Sequence, residues 1–323
     1  MILSLGLFLA GLGFLFLGSE LVTRQMGPVA RRLGINELVV TVLGISVLSS
    51  LPELMVSGFA AARGQSDVSI GNVVGSNFVT LTFVTAVCAL IRPMDTSLQI
   101  KDRESSWMIL STALVLVLGH DGILGRVDGA LLILFYVPYI GSVIAGALRE
   151  AKSGAGTGQG VAAGGPPLAL RLALMAAGLA AIILGADWAV SGGERLGVAA
   201  GIPPFALGVV LFAFGTSLPE LSIAVSATLK GKSEVSIGEV YASNTFTMMV
   251  VLGICALIRP LAVSEAITSF ALPFLVLASV VIQVFITTGM RLKRWEAAVL
   301  LVFYGFFVFA NFTDVLGWTR ALP

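Results

Sequence analysis

Residues 48–53 read Leu-Ser-Ser-Leu-Pro-Glu and residues 215–220 read Gly-Thr-Ser-Leu-Pro-Glu, two copies of one hexad, each in the middle of a long apolar run. Proline has no N–H and crowds the carbonyl four residues back, so Pro52 and Pro219 release the carbonyls of Leu48 and Gly215 from a helical ladder. Carbonyls released at mid-membrane are cation ligands. Glu53 follows Ser49 and Ser50 by four and three residues, and Glu220 follows Thr216 and Ser217 in the same way. That spacing puts both hydroxyls and the carboxylate on one helix face.

Glu53 superimposes on Glu220 at an offset of 167, and the same offset aligns much more. Val68-Ser69-Ile70-Gly71 falls on Val235-Ser236-Ile237-Gly238, Ser76-Asn77 on Ser243-Asn244, Thr80 on Thr247, Cys88 on Cys255, and Ile91-Arg92-Pro93 on Ile258-Arg259-Pro260. Upstream, Leu17-Gly18-Ser19-Glu20 meets Leu184-Gly185-Ala186-Asp187. A period this long in an apolar chain points to duplicated halves rather than a solenoid.

The composition says where those halves reside. Of 323 residues, 57% are hydrophobic and 11% charged, with a mean hydropathy of +1.00. A soluble domain carries roughly a quarter of its residues charged, so most of this surface faces hydrocarbon and a soluble enzyme is excluded. A net charge of +1, with no basic patch beyond short loops, excludes nucleic acid as a partner. One histidine and two cysteines leave zinc, haem and iron–sulfur chemistry without ligands. There is neither a nucleophile–base pair nor an aspartate pair for intramembrane proteolysis, so the chain is read as no enzyme.

A spanning helix needs about 20 mostly apolar residues. Breaks at Gly, Pro and charge clusters predict ten spans, near 2–23, 35–61, 67–91, 105–119, 122–147, 167–190, 201–229, 234–258, 266–288 and 295–313. The first begins without a basic leader and reads as a membrane helix rather than a cleaved signal. With the N-terminus outside, 14 of the 19 Lys and Arg residues fall in cytoplasmic loops, so both termini are expected outside the cell (inner) membrane. The expected fold is an all-α polytopic membrane protein. Residues 1–150 form a first five-helix repeat with its motif over 44–93, residues 151–166 a Gly/Ala-rich linker, and residues 167–323 a second five-helix repeat with its motif over 211–260. Five spans per half is an odd number, so the repeats are inverted, as in transporters. That inversion puts Cys88 near the inner end of span three and Cys255 near the outer end of span eight, too far apart for a disulfide.

Spans three and eight add Asn72, Ser76 and Thr80, and Glu239, Ser243 and Thr247, each set at i, i+4, i+8. A polar stripe within an apolar helix faces protein or water rather than lipid. The donors are carboxylates, hydroxyls, amides and carbonyls, which suits hard cations such as Ca²⁺ and Na⁺. Two buried glutamates are neutralised by one Ca²⁺, two Na⁺ or two protons, and that equivalence is the basis of exchange. Asn77 and Asn244 either brace broken backbone or contact an ion. Glu239, whose counterpart is Asn72, is either a third acid on the ion path or a vestibule charge. Glu20 and Asp187 read as solvated interfacial groups, and His120 with Asp121 as an exposed turn.

The paired Leu-Pro-Glu hexads, the Ser-Ile-Gly-x-x-x-x-Ser-Asn segments after them and the five-plus-five plan resemble the alpha repeats of the cation/calcium antiporter superfamily, typified by sodium/calcium exchangers. The resemblance implies a central ion site that opens alternately to either side, with spans one and six moving over a core of the others. It implies Glu53 and Glu220 as the metal-binding carboxylates, with Ser49, Ser50, Thr216, Ser217, Ser76 and Ser243 as ligand hydroxyls. It further implies backbone carbonyls near Ser46 and Ala213. The family pattern is usually Gly-Thr-Ser-Leu-Pro-Glu followed by Gly-Asn-x-x-Gly-Ser-Asn-x-x-Asn. Here Leu48 and Ser49 replace Gly-Thr, Glu239 and Ala242 replace Asn and Gly, and Thr80 and Thr247 stand where Asn or Asp is usual. The implied activity is Na⁺/Ca²⁺ exchange by secondary-active antiport. Exchange against H⁺, which related antiporters manage with two glutamates, is the alternative, and a cation channel is a more distant one. The implied partners are inorganic cations and the lipid bilayer, with no cofactor and no obligate protein partner.

Overall fold

The computed structural model describes residues 2–32, 44–98, 100–152 and 166–312. Nearly all are helical, as hydrocarbon demands of a backbone that must satisfy its own hydrogen bonds. In chain order the elements are α1 (Ile2–Arg32), α2 (Ile45–Ser49), α3 (Leu51–Ala62), α4 (Ser66–Ile91), β1 (Met94–Asp95), α5 (Ser105–Leu118), β2 (Ile123–Leu124) and α6 (Arg126–Lys152). They continue with α7 (Leu168–Ala200), α8 (Pro204–Thr216), α9 (Leu218–Leu229), α10 (Ser233–Ile258), β3 (Leu261–Ala262), α11 (Ile267–Gly289), β4 (Arg291–Leu292) and α12 (Arg294–Phe312).

Among the described residues seven helices are long and apolar enough to cross a membrane: α1, α4, α6, α7, α10, α11 and α12. The pair α8 and α9, bent by 44°, makes an eighth. The expected second span, 35–61, falls partly outside the described residues, and its described part is α2 and α3. The expected fourth span is the 14-residue α5, preceded by a π-helical turn over Ile100–Glu104. Three helices run past their expected ends. α1 and α7 run on to Arg32 and Ala200, and α6 continues to Lys152, taking the first two residues of the expected linker. Residues 153–165 lie outside the described residues.

Elements recur at the sequence offset. α3 and α9 are related by 167 at both ends, and β1 and β3 likewise. The recurrence extends to distorted segments: α4 widens into a π-helix over Val79–Val84 and α10 over Thr247–Val251. The strands pair across the copies, β1 with β4 (Met94 opposite Leu292) and β2 with β3 (Leu124 opposite Leu261), both antiparallel.

α1 and α7 pack against each other along a glycine seam. A Cβ added at Gly18 would lie 2.6 Å from the Gly178 carbonyl oxygen, and one at Gly185 would lie 2.8 Å from that of Gly11. The contacts Gly11 to Gly185 and Gly18 to Gly178 descend one helix while climbing the other, so the two equivalent helices are antiparallel. Without a hydrophobic drive between helices in lipid, such close backbone approach is what holds a pair together. α4 and α10 occupy the centre, 78% buried over their apolar windows against 28% for α1 and 17% for α7.

Candidate ion-binding site

The two hexads break their helices at matched points. α2 ends at Ser49, Ser50 turns out of the helix (φ −84°, ψ 8°), and α3 starts at Leu51; α8 ends at Thr216, Ser217 turns (φ −81°, ψ 5°), and α9 starts at Leu218. Pro52 and Pro219 therefore stand in the first turn of a new helix, where a missing N–H loses no bond. Glu53 and Glu220 occupy the same first turns, near the positive end of the helix dipole. The carbonyl ends of α2 and α8, with the opposite partial charge, close each break from the other side. Of the released carbonyls, that of Leu48 accepts the Ser19 hydroxyl at 3.3 Å. The Ser46 carbonyl lies 2.8 Å from Ser50 Oγ, and the Ala213 carbonyl 3.3 Å from Thr216 Oγ1.

The hydroxyls and carboxylates meet, but across the copies rather than within them. Ser50 Oγ lies 3.3 Å from Glu220 Oε1 and Ser217 Oγ lies 3.4 Å from Glu53 Oε1. Ser49 Oγ reaches Glu239 Oε1 at 3.0 Å, and Thr216 Oγ1 reaches Asn72 Oδ1 at 3.2 Å. The expectation that each glutamate shares a face with the hydroxyls of its own hexad is corrected: an unbroken helix would give that arrangement, and the turns at Ser50 and Ser217 remove it. Each donor instead meets the acid or amide of the other half.

Glu53, Glu220 and Glu239 are 1%, 2% and 5% exposed, so Glu239 is no vestibule charge. One carboxylate oxygen of each, Oε2, has no hydrogen-bond partner among the described residues. Ser76 and Ser243 are also buried, their hydroxyls donating to the Val73 and Val240 carbonyls at 3.0 and 3.1 Å, which leaves the oxygen lone pairs available. Among the described residues no three His, Cys, Asp or Glu side chains are grouped closely enough to hold one metal ion by themselves. A cation here would draw on hydroxyls and carbonyls as well as carboxylates.

Thr80 and Thr247 point elsewhere. Thr80 Oγ1 donates to Asn244 Oδ1 and Asn77 Nδ2 donates to Thr247 Oγ1, both at 2.7 Å. The four side chains tie α4 to α10 where their π-helical segments begin, and the threonine oxygens are engaged with the asparagines, while Asn77 Oδ1 is buried without a partner among the described residues.

Two groups escaped the sequence reading. Ser57 accepts from Asn72 Nδ2 at 2.9 Å, and its counterpart at the offset is Ala224; comparing the two copies position by position would have exposed that change. Asp187, read as a solvated interfacial acid, is bonded by Arg63 at 2.5 Å. Glu20 pairs with Arg24 on its own helix, while His120 and Asp121 do lie in an exposed turn. Cys88 and Cys255 are both buried free thiols.

Known proteins share this plan. The sodium/calcium exchanger protein family model matches two stretches, residues 3–145 and 170–313. The sodium/calcium exchanger MaX1 of Methanosarcina acetivorans is 29% identical over 95% of this chain and 97% of its own length. The inner membrane protein YrbG of Escherichia coli is 27% identical over 80% of this chain and 81% of its own. Solved structures of the sodium-calcium exchanger NCX_Mj superpose with a TM-score of 0.68 at 25% identity, covering 95% of this chain and 98% of that one. Another, soaked with 2.5 mM Na⁺ and 0.1 mM Ca²⁺, gives 0.66 at 26% identity. With both halves of the chain matched and two broken helices facing each other through paired glutamates, the chain belongs to the sodium/calcium exchanger family.

Proposed function

We propose that this protein is a secondary-active antiporter that exchanges Na⁺ for Ca²⁺ by alternating access at a mid-membrane site. Glu53 and Glu220 are its central ligands, assisted by Ser49, Ser50, Thr216, Ser217, Ser76, Ser243 and the carbonyls at the two helix breaks. The observation that carries this reading is the crossed pairing of Ser50 with Glu220 and Ser217 with Glu53, because it joins the two halves into one buried oxygen cage. Two carboxylates neutralise one Ca²⁺, and their two unpartnered oxygens supply ligands that hydroxyls and carbonyls complete towards the six to eight a calcium ion takes.

The architecture is ten membrane helices in two inverted five-helix repeats, over residues 1–150 and 167–323, in the cell membrane with both termini outside. Three observations support it. The offset equivalents α1 and α7 are antiparallel at their glycine seam. β1 joins β4 in the loops after spans three and nine, and β2 joins β3 in the loops after spans four and eight; paired loops must share a side, and the parity of ten spans meets that requirement. The family model matches each half separately. α1 and α7, packed on each other and far less buried than α4 and α10, are the pair that moves over the central helices.

The coupling ion is tested with purified protein in liposomes, by comparing ⁴⁵Ca²⁺ uptake driven by an outward Na⁺ gradient with uptake driven by an outward H⁺ gradient. Uptake with Na⁺ alone is expected. Uptake only with H⁺ would overturn the sodium assignment and make the chain a proton-coupled exchanger.

A further inference from the structure

Among the differences between the two copies of the site, two substitutions at the offset change together. In the first copy Asn72 is satisfied at both ends: its Oδ1 accepts from Thr216 and its Nδ2 donates to Ser57 Oγ. In the second copy Glu239 replaces Asn72 and Ala224 replaces Ser57. Glu239 Oε1 keeps the equivalent bond, accepting from Ser49 at 3.0 Å. Glu239 Oε2 has no partner among the described residues, and the buried Ala224 has no side-chain hydroxyl to donate to it. A residue retained only to brace the helices would need a donor at that oxygen, and the chain supplies none.

We propose that Glu239, with Ser49, holds a sodium ion of its own, beside the ion between Glu53 and Glu220, and so adds one Na⁺ to each exchange cycle. The inference rests on the exchange reading above. Its logic is charge. Three buried carboxylates carry three negative charges, so in the sodium-loaded state two Na⁺ at Glu53 and Glu220 leave that of Glu239 for a third, since an unpaired charge in a hydrocarbon setting is costly. Ca²⁺ between Glu53 and Glu220 repels that neighbouring Na⁺, which therefore leaves when Ca²⁺ enters and counts in the exchange. The three acids do not group closely enough to hold a single ion together. Glu239 is nevertheless adjacent, since the consecutive residues Ser49 and Ser50 serve Glu239 and Glu220. One carboxylate with one hydroxyl, and hard oxygen donors only, fits a monovalent hard cation better than a second Ca²⁺. The remaining hydroxyls of the two polar stripes, Thr80 and Thr247, are engaged with asparagines.

The test is the coupling number. In proteoliposomes clamped at zero voltage, the Ca²⁺ ratio reached at equilibrium is measured against a series of imposed Na⁺ ratios, and the logarithmic slope is the number of Na⁺ per Ca²⁺. Glu239→Gln is expected to lower that slope by one. The double variant Ala224→Ser with Glu239→Asn rebuilds the first-copy pair, so it guards against misfolding of the single variant and is expected to lower the slope equally. A wild-type slope retained by both variants overturns the proposal, including the case where only the response to a pH gradient changes, which would assign the group to a proton. Absence of Na⁺-driven Ca²⁺ movement in the wild type would instead overturn the exchange reading itself.

Discussion

Arg63 closes the α3 half-helix onto α7: its guanidinium donates to Asp187 at 2.5 Å and to Ser191 at 3.1 Å. The offset counterparts of these three residues are Lys230, Glu20 and Arg24. There the equivalent clasp is not made. Arg24 takes Glu20 at 2.7 Å within α1, and among the described residues Lys230 has no ion pair. One end of the α1 and α7 pair is thus tied to its half-helix and the other is not, as expected of a two-state element caught with one side closed. Asp187→Asn should loosen the closed side. A half-exposed pair is worth under about 1 kcal/mol, so a cysteine introduced by Ser217→Cys should react up to about fivefold faster with a thiol reagent added outside. An unchanged rate would mean that the ion pair does not hold that side shut.

The crossed hydroxyls make a symmetric prediction. Ser50→Ala and Ser217→Ala each remove a donor to the opposite glutamate at nearly equal distance, 3.3 and 3.4 Å. Hydrogen bonds to charged groups contribute about 1.5–3 kcal/mol, so each variant should weaken apparent Ca²⁺ affinity by about tenfold or more, and the two by similar factors. Concentration-dependent ⁴⁵Ca²⁺ uptake measures both. A large loss in one with none in the other would contradict a site shared evenly by the halves.

Thr80 and Thr247 serve the fold. Because their oxygens bond Asn244 and Asn77 across the copies, Thr80→Val and Thr247→Val should lower thermal stability in detergent by about 0.6–1.7 kcal/mol each, the range of interhelical side-chain bonds in membranes. Neither should change the number of Na⁺ carried per Ca²⁺. A changed coupling number would return these threonines to the ion path.

The glycine seam between α1 and α7 must stay narrow. A side chain at Gly18 would collide with the Gly178 carbonyl, so Gly18→Val should force the two helices apart and slow exchange. Ca²⁺ binding in detergent should remain, since no ligand lies on the seam. Loss of binding would show that the seam shapes the site directly.

Much of this was legible in the chain because duplication prints the same physics twice. The repeated hexad located both helix breaks, both central acids and the hydroxyls beside them, and the apolar runs located most spans. The cross-pairing was not legible: sequence spacing assumes an unbroken helix, and the turns at Ser50 and Ser217 bring the four hexad hydroxyls to acids and an amide of the other half. The π-helical segments that carry Thr80 and Thr247 leave no mark in hydropathy, so their oxygens could be counted but not aimed. The joint change of Ser57 to Ala224 and Asn72 to Glu239 was visible at the offset, yet it acquired meaning only once the bond from Asn72 to Ser57 was seen.

The central claim is that Glu53 and Glu220 together hold the exchanged ion, and its most direct test is Na⁺-driven ⁴⁵Ca²⁺ uptake by the wild type, Glu53→Gln and Glu220→Gln in the same liposomes. Both variants keep the size and shape of the side chain but lose the charge. Uptake should fall by more than about 100-fold in each, beyond the 10–100-fold typical of losing an outer-shell partner of a bound metal. Wild-type uptake in either variant would contradict the account.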